Sequence, residues 1–235
     1  MNLTEKNFND AHNELDVQKK NLHRRTFMRY TGVALAGASV LSLADCKKDY
    51  TNPSGSGVSF GTGDYSILNF AYALEQLEAA FYTQVMATPF SGMSVSENNL
   101  LSNIRDHEIA HREFFKAALG TYAIPALSVN FASINFTSRD SVLNTAKAFE
   151  DLGVSAYNGA GRYIADANYL LIAGKIVSVE ARHAAYIRDL ISYNSFADST
   201  ILDGNGMDTA RKPSAVIAIA SAYITTSLDV STLPA

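Results

Sequence analysis

From residue 64 onward the chain runs in stretches whose apolar side chains recur every three or four positions. In the first, Leu68, Ala71, Tyr72, Leu74 and Ala79 fall at helical spacing. This predicts a helix from about Tyr65 to Met86 with Asp64 as its N-cap, ended by Pro89, Gly92 and a serine-rich stretch. Ser94 or Ser96 ahead of Glu97 starts a second helix, which runs to about Leu119 and stops at Gly120. The segment Thr121–Thr137 is mixed. Its portion Val129–Phe136 alternates like a strand without a visible partner, so it is expected to be an extended crossover. Ser138 caps a third helix through Gly159 to about Tyr163, and a fourth runs from about Asn168 to Tyr193. Asn205-Gly206 marks a turn, and Pro213 opens a short helix over Ser214–Tyr223. Two short connections around one long crossover predict an all-α four-helix bundle over residues 64–193, with residues 194–235 as an extension packing on it.

The region ahead of the bundle follows a different pattern. Residues 1–29 are polar and end in the basic run Leu22-His-Arg-Arg-Thr-Phe-Met-Arg29, and residues 30–44 (YTGVALAGASVLSLA) carry no charge. A basic start and a short apolar stretch form the layout of a signal peptide, too short to span a membrane as a helix. Arg24-Arg25-Thr26-Phe27-Met28 resembles a twin-arginine export signal. The run closes on Leu43-Ala44-Asp45-Cys46, which resembles a lipoprotein signal, with Asp45 where such signals usually carry a small residue. The expectation is an export signal over residues 1–45 and Cys46 as a lipid anchor to the membrane, placing the protein in the cell envelope. Residues 46–63 are rich in glycine and serine and read as a flexible tether.

Composition narrows the chemistry. With 47% hydrophobic residues among 235, the chain has ample material for a packed core. One cysteine excludes a disulfide framework and a four-cysteine metal site. From Cys46 onward thirteen basic residues face eighteen acidic ones, a net charge of −5, which argues against a nucleic-acid partner. Of the five histidines, His12 and His23 lie in the expected signal, leaving His107, His111 and His183.

Those histidines fall into an internal repeat. Leu74-Glu75-Gln-Leu77 through Tyr82 aligns with Phe149-Glu150-Asp-Leu152 through Tyr157, and Asp106-His-Glu108-Ile-Ala-His111 aligns with Ser178-Val-Glu180-Ala-Arg-His183. Residues three apart share a helix face, so Glu108 and His111 point the same way, as do Glu180 and His183. Glu75 shares a face with Tyr82 and Glu150 with Tyr157, two turns on. Turned inward, these faces gather four carboxylates and two imidazoles. Burying four carboxylates without counter-charge costs many kcal/mol or forces them to protonate, whereas two divalent ions supply the matching charge. Oxygen and imidazole ligands suit iron or manganese. Only seven glutamates stand in residues 46–235, so two of three histidines preceded by Glu-x-x is an improbable coincidence. Solvated pairs on exposed helix faces are the alternative reading.

Several neighbours remain open. Glu78, whose counterpart in the second pair is Gly153, is a surface carboxylate or a support for the ligands. His107 points about 100° away from Glu108 and is a rim or hydrogen-bonded core histidine. Tyr82 and Tyr157 are core aromatics or hydrogen-bond partners of the ligand glutamates. Asp106 and Arg182 either orient ligands or lie on the surface.

The phrases ILNFAYALEQLEAAFY, DHEIAHREFF, VSAYNGAGRYI and IVSVEARHAAYIRDL resemble ferritin-like proteins of an exported bacterial branch related to the plant desiccation-related proteins. The resemblance covers residues 64–193. It implies a ferritin-like four-helix bundle with a di-metal centre at Glu75, Glu108, His111, Glu150, Glu180 and His183. Two functions are compatible with two iron ions, or manganese, at such a centre. One is an oxidoreductase of ferroxidase, peroxidase or catalase type, using dioxygen or peroxide. With no rubredoxin-like cysteine set, it would draw on an external electron donor. The other is a non-catalytic, metal-stapled module with a structural or desiccation-protective role.

Overall fold

The computed structural model of the chain describes residues 57–234. The expected export signal, the anchor candidate Cys46 and the expected tether as far as residue 56 lie outside the described residues. Four long helices carry the fold: α1 Asp64–Ala87, α2 Val95–Leu119, α3 Arg139–Ala160 and α4 Ala167–Ile191. The first two pack as one pair and the last two as another, and α1 meets α3 between them. A short helix, α5 Pro213–Ala220, lies on α3. The architecture is therefore an all-α bundle, to which a two-residue strand β1, Val58–Ser59, and its parallel partner β2, Leu228–Asp229, add little. No helix among the described residues is long and apolar enough to cross a membrane.

The two helices of each pair have unlike roles. Helix α1 is buried along most of its length and α3 along more than half of its own, so they form the middle of the molecule. Helices α2 and α4 are amphipathic. On α2 the buried residues Glu97, Leu101, Ile104, Glu108, Phe115 and Leu119 form a single stripe at spacings of four and three, with His111 on the same line. On α4 the stripe is Ile176, Glu180, His183 and Ile187. Glutamate and histidine thus occupy positions that periodicity assigns to the core.

Helix ends follow the local chemistry. Ser94 and Glu97 form a capping box, in which the Ser94 hydroxyl accepts from Glu97 N–H and the Glu97 carboxylate accepts from Ser94 N–H. Ser138 and Asp166 cap α3 and α4. Asp64 does not cap α1. The N-cap is Gly63, and the Asp64 carboxylate instead accepts from the backbone N–H groups of Ala165 and Asp166, at 2.8 Å each. The charge that reads as a local cap is spent on tying α1 to the α3–α4 connection.

The crossover is extended, as its mixed pattern predicts, and it is fastened to α1 by buried amides. Asn69 donates to the carbonyls of Phe60 and Tyr122 and accepts from Ile124 N–H, while Gln76 accepts from Leu127 N–H. The segment with no visible strand partner has one contact of that kind, a single antiparallel bridge from Val129 to Ile224. The C-terminal extension is held by Arg188, only 3% exposed, which binds Asp151 through two nitrogens and also reaches Asp198 and Thr200. Further on, Arg211 N–H donates to the Ser155 carbonyl and its guanidinium to the Ser155 hydroxyl. At the other end of the described chain, the last residues read as tether are built into the fold. Phe60 is fully buried, and β1 pairs with β2.

Candidate metal centre

Each helix delivers its carboxylate from the middle of its buried face, and the four meet. Glu75 on α1, Glu108 on α2, Glu150 on α3 and Glu180 on α4 have no solvent exposure, and His183 is 5% exposed. His111 Nδ1 lies 2.9 Å from Glu180 Oε1, 3.4 Å from Glu75 Oε2 and 3.7 Å from Glu108 Oε2. His183 Nδ1 lies 2.8 Å from Glu108 Oε1, 3.5 Å from Glu150 Oε2 and 3.7 Å from Glu180 Oε2. Two overlapping clusters result. Glu75, Glu108, His111 and Glu180 form one, and Glu108, Glu150, Glu180 and His183 form the other, with each set of ligand atoms within 4.8 Å of one another. Glu108 and Glu180 belong to both.

Eight atoms at this centre are buried without a hydrogen-bond partner: Glu75 Oε2, both oxygens of Glu108, Glu150 Oε2, both oxygens of Glu180, and Nδ1 of His111 and of His183. Several lie at ion-pair distance, yet none is aligned with another as a hydrogen bond. Buried polar atoms are ordinarily satisfied, and each one left without a partner costs about 1–3 kcal/mol. So dense a group of donor atoms, all oxygen or imidazole nitrogen, could hold metal ions.

The electrostatics carry the same strain. Burial pushes Glu108 up to about 8, with Glu180 adding to the rise, and pushes Glu150 up to about 7. Glu75 is raised for the same first reason. Burial acts on Glu180 too, but the imidazoles of His111 and His183 bring it down to about 2. Burial would lower His111, yet Glu108, Glu180 and Glu75 raise it to about 12, and His183 is raised likewise. Without metal, Glu108 and Glu150 hold protons that an ordinary carboxylate has released, the histidines take protons up, and Glu180 stays charged between them.

The tyrosines cross between pairs. Tyr82 on α1 donates to Glu150 Oε1 on α3, and Tyr157 on α3 donates to Glu75 Oε1 on α1. Both are buried, and both are hydrogen-bond partners rather than plain core aromatics. Each satisfies the one oxygen of its glutamate that the centre does not use. Beside Tyr157 lies an apolar cavity of about 30 Å³ lined by residues including Leu68, Phe115, Ala156 and Ile172.

The remaining candidates separate cleanly. Glu78 is buried, 4% exposed, with its carboxyl beside Gly153. The acidic groups of the centre and, above all, burial raise it well above the usual carboxylate range. His107 reaches across to α4, where its Nδ1 stands 2.9 Å from His183 Nε2 with the rings nearly parallel. The 100° offset that turns His107 away from Glu108 is what aims it at the neighbouring helix. Asp106 pairs with Arg105 at the surface, and Arg182 is exposed.

No curated protein matches this chain. A family model described as a ferritin-like domain matches residues 63–193, more than half of the chain, and the matched span holds both clusters of carboxylates and imidazoles. By that match the chain belongs to the ferritin-like domain family.

Proposed function

We propose that the protein binds two ions of iron, or of manganese, and uses them in redox chemistry with dioxygen or peroxide. The observation that carries this reading is the set of eight orphaned donor atoms divided between two clusters that share Glu108 and Glu180. In this reading Glu108 and Glu180 serve both ions, Glu75 and His111 serve one, and Glu150 and His183 serve the other. The bound pair would supply two electrons that, with two protons, reduce dioxygen to hydrogen peroxide, and an external donor would return them. The chain's own part is to hold the ligands. Tyr82 and Tyr157 fix the outer oxygens of Glu150 and Glu75, and complete burial of the four glutamates keeps water out. An apolar cavity of about 30 Å³, of a size for one diatomic molecule, adjoins the tyrosine that holds Glu75.

The completeness of that burial also favours a second reading, in which metal is a folding staple and no oxidation follows. One experiment separates the two. Chelator-stripped protein is loaded anaerobically with ferrous iron and then exposed to oxygen. Two irons per chain and the growth of a near-ultraviolet band from oxidised, carboxylate-bound iron are expected. Iron bound without any spectral change supports the staple. If no metal binds, and Glu108→Ala with Glu180→Ala changes neither metal content nor melting, the centre is misread.

We also propose that the protein is exported through its twin-arginine segment and held at the membrane through Cys46, on the strength of the sequence alone. Export with metal already loaded suits a centre sealed inside a folded bundle. Cys46→Ala should release the protein from membranes, and continued membrane association would refute the anchor.

A further inference from the structure

The two metal positions are alike in their ligands and differ in what stands behind them. On one side, His183 presents Nδ1 to Glu108 at 2.8 Å and Nε2 to His107 Nδ1 at 2.9 Å. The two imidazole rings stack at an interplanar angle of 12° with centroids 5.2 Å apart. On the other side, His111 presents Nδ1 to the glutamates in the same way, but its side chain is 14% exposed, and no described residue is seen to hydrogen-bond its Nε2. By the internal repeat, the counterpart of His107 is Val179, which has no hydrogen-bonding side chain.

We infer that His107 is a positioning residue that fixes His183 as a metal ligand and makes the position served by His183 and Glu150 unequal to the one served by His111 and Glu75. This rests on the metal-binding reading above. The argument is one of proton placement. A ring nitrogen holds a metal through its lone pair, so His183 can ligate through Nδ1 only with its proton on Nε2. That Nε2–H then points at His107 Nδ1, which must accept, so the proton of neutral His107 sits on its own Nε2. The hydrogen bond therefore selects both tautomers and locks the His183 ring in the plane its ligand role requires. Outer partners of this kind are worth about 10–100-fold in metal affinity. Water at the exposed edge of His111 selects the same tautomer far less firmly. His107 also lies toward the surface, so a chain of two rings links the His183 position to the outside of the bundle, whereas the other position reaches it through the exposed edge of His111 itself.

The test is a calorimetric titration of the metal-free, full-length protein with cobalt(II), followed in parallel by the visible spectrum of the bound ion. The wild type should take up two equivalents. His107→Ala should weaken one of them by about 10–100-fold, leave the other unchanged and alter the ligand-field bands of the weakened ion. His107→Asn places an amide oxygen near the position of Nδ1, so it can still accept from His183 and should recover most of the lost affinity. A merely structural role would not show that rescue. Melting curves of the metal-free variants, recorded alongside, establish that each is folded before its metal binding is compared. The inference is overturned if His107→Ala binds both equivalents as the wild type does. It is also overturned if Ala and Asn variants are equally weak, or if both equivalents weaken together. A wild type that binds no cobalt overturns the metal reading itself, which is a different result from two unchanged equivalents in the variant.

Discussion

The pair α1–α2 and the pair α3–α4 repeat one plan, and their disagreements are as informative as their agreement. Glu75 and Tyr82 match Glu150 and Tyr157, and Glu108 and His111 match Glu180 and His183. Everything that touches the central donor atoms obeys the repeat, down to the crossed tyrosine bonds. Elsewhere it fails, and three of the departures are telling. Glu78 faces its own counterpart Gly153, His107 matches Val179, and Gly159 of α3, the counterpart of Gln84 in α1, lies under the backbone of the C-terminal extension. The donor set keeps the symmetry of the repeat, and its surroundings do not.

The largest expected effect concerns what the two pairs share. In the metal-free protein Glu108 and Glu150 are raised to about 8 and about 7, against an ordinary value of 4.5. Between those limits the folded chain holds protons that the unfolded chain has released. Their contribution to stability is therefore full below about 4.5 and falls as pH rises through 7 and 8. His111, raised from 6.5 to about 12, acts in the same sense: its contribution is full below 6.5 and declines above. Glu180, lowered to about 2, acts oppositely, and its contribution is lost only as pH falls below 4.5. The metal-free protein should thus lose about 1.4 kcal/mol per pH unit for each proton retained. Metal requires deprotonated ligands, so the loaded protein should gain stability over the same range. Melting midpoints from pH 5.5 to 7.5, with and without chelator, should slope in opposite directions. Parallel slopes would mean that the six residues do not act as one metal-linked unit.

A smaller effect separates α3 from α1. A Cβ on Gly159 would stand 1.7 Å from the carbonyl oxygen of Arg211, and the offending atom is backbone. Gly159→Ala must therefore displace the segment that Ser155 and Arg211 hold together, at a cost of about 1–3 kcal/mol despite the better helix propensity of alanine. Proteolysis of residues 194–212 should accelerate in this variant, while metal stoichiometry stays at the wild-type value. Loss of metal along with the extension would show that the extension supports the centre.

Much of this was readable from spacing, and the unreadable part has a common cause. The helices and the convergence of Glu75, Glu108, His111, Glu150, Glu180 and His183 depend on periodicity within single helices, which a sequence displays directly, while the choice of Ser94 over Ser96 as the cap is made by the structure. Asp64 misleads because its carboxylate is a good cap by local chemistry and is used instead by a backbone about a hundred residues away. Phe60 is buried only because Asn69 and β2 receive its segment, and nothing in a glycine- and serine-rich stretch announces a distant strand. The His107–His183 bond lies between these cases. The helical offset places His107 on the flank toward another helix, but only the packed bundle shows which ring it meets.

The finest test of the comparison lies between Glu78 and Gly153. In α3 this glycine sits inside a helix, where alanine is favoured by about 1 kcal/mol, so the choice needs a reason. A Cβ there would come within 3.2 Å of Glu78 Oε1, tighter than ordinary contact, and the carboxyl would have to yield by a few tenths of an ångström. Gly153→Ala alone should accordingly change stability little, the helical gain being offset by crowding of a buried carboxyl. In a Glu78→Ala background the crowding is gone, and the same substitution should stabilise by about 1 kcal/mol. The coupling read from the four chemical-denaturation curves should then be about 0.5–1 kcal/mol. If alanine at 153 gains the same in both backgrounds, the glycine is not there to seat the glutamate, and the two helix pairs differ at this position without consequence. A clear coupling would instead make this position a paired exchange, in which one repeat gives up its side chain so that the other can bury a fifth carboxyl beside the centre.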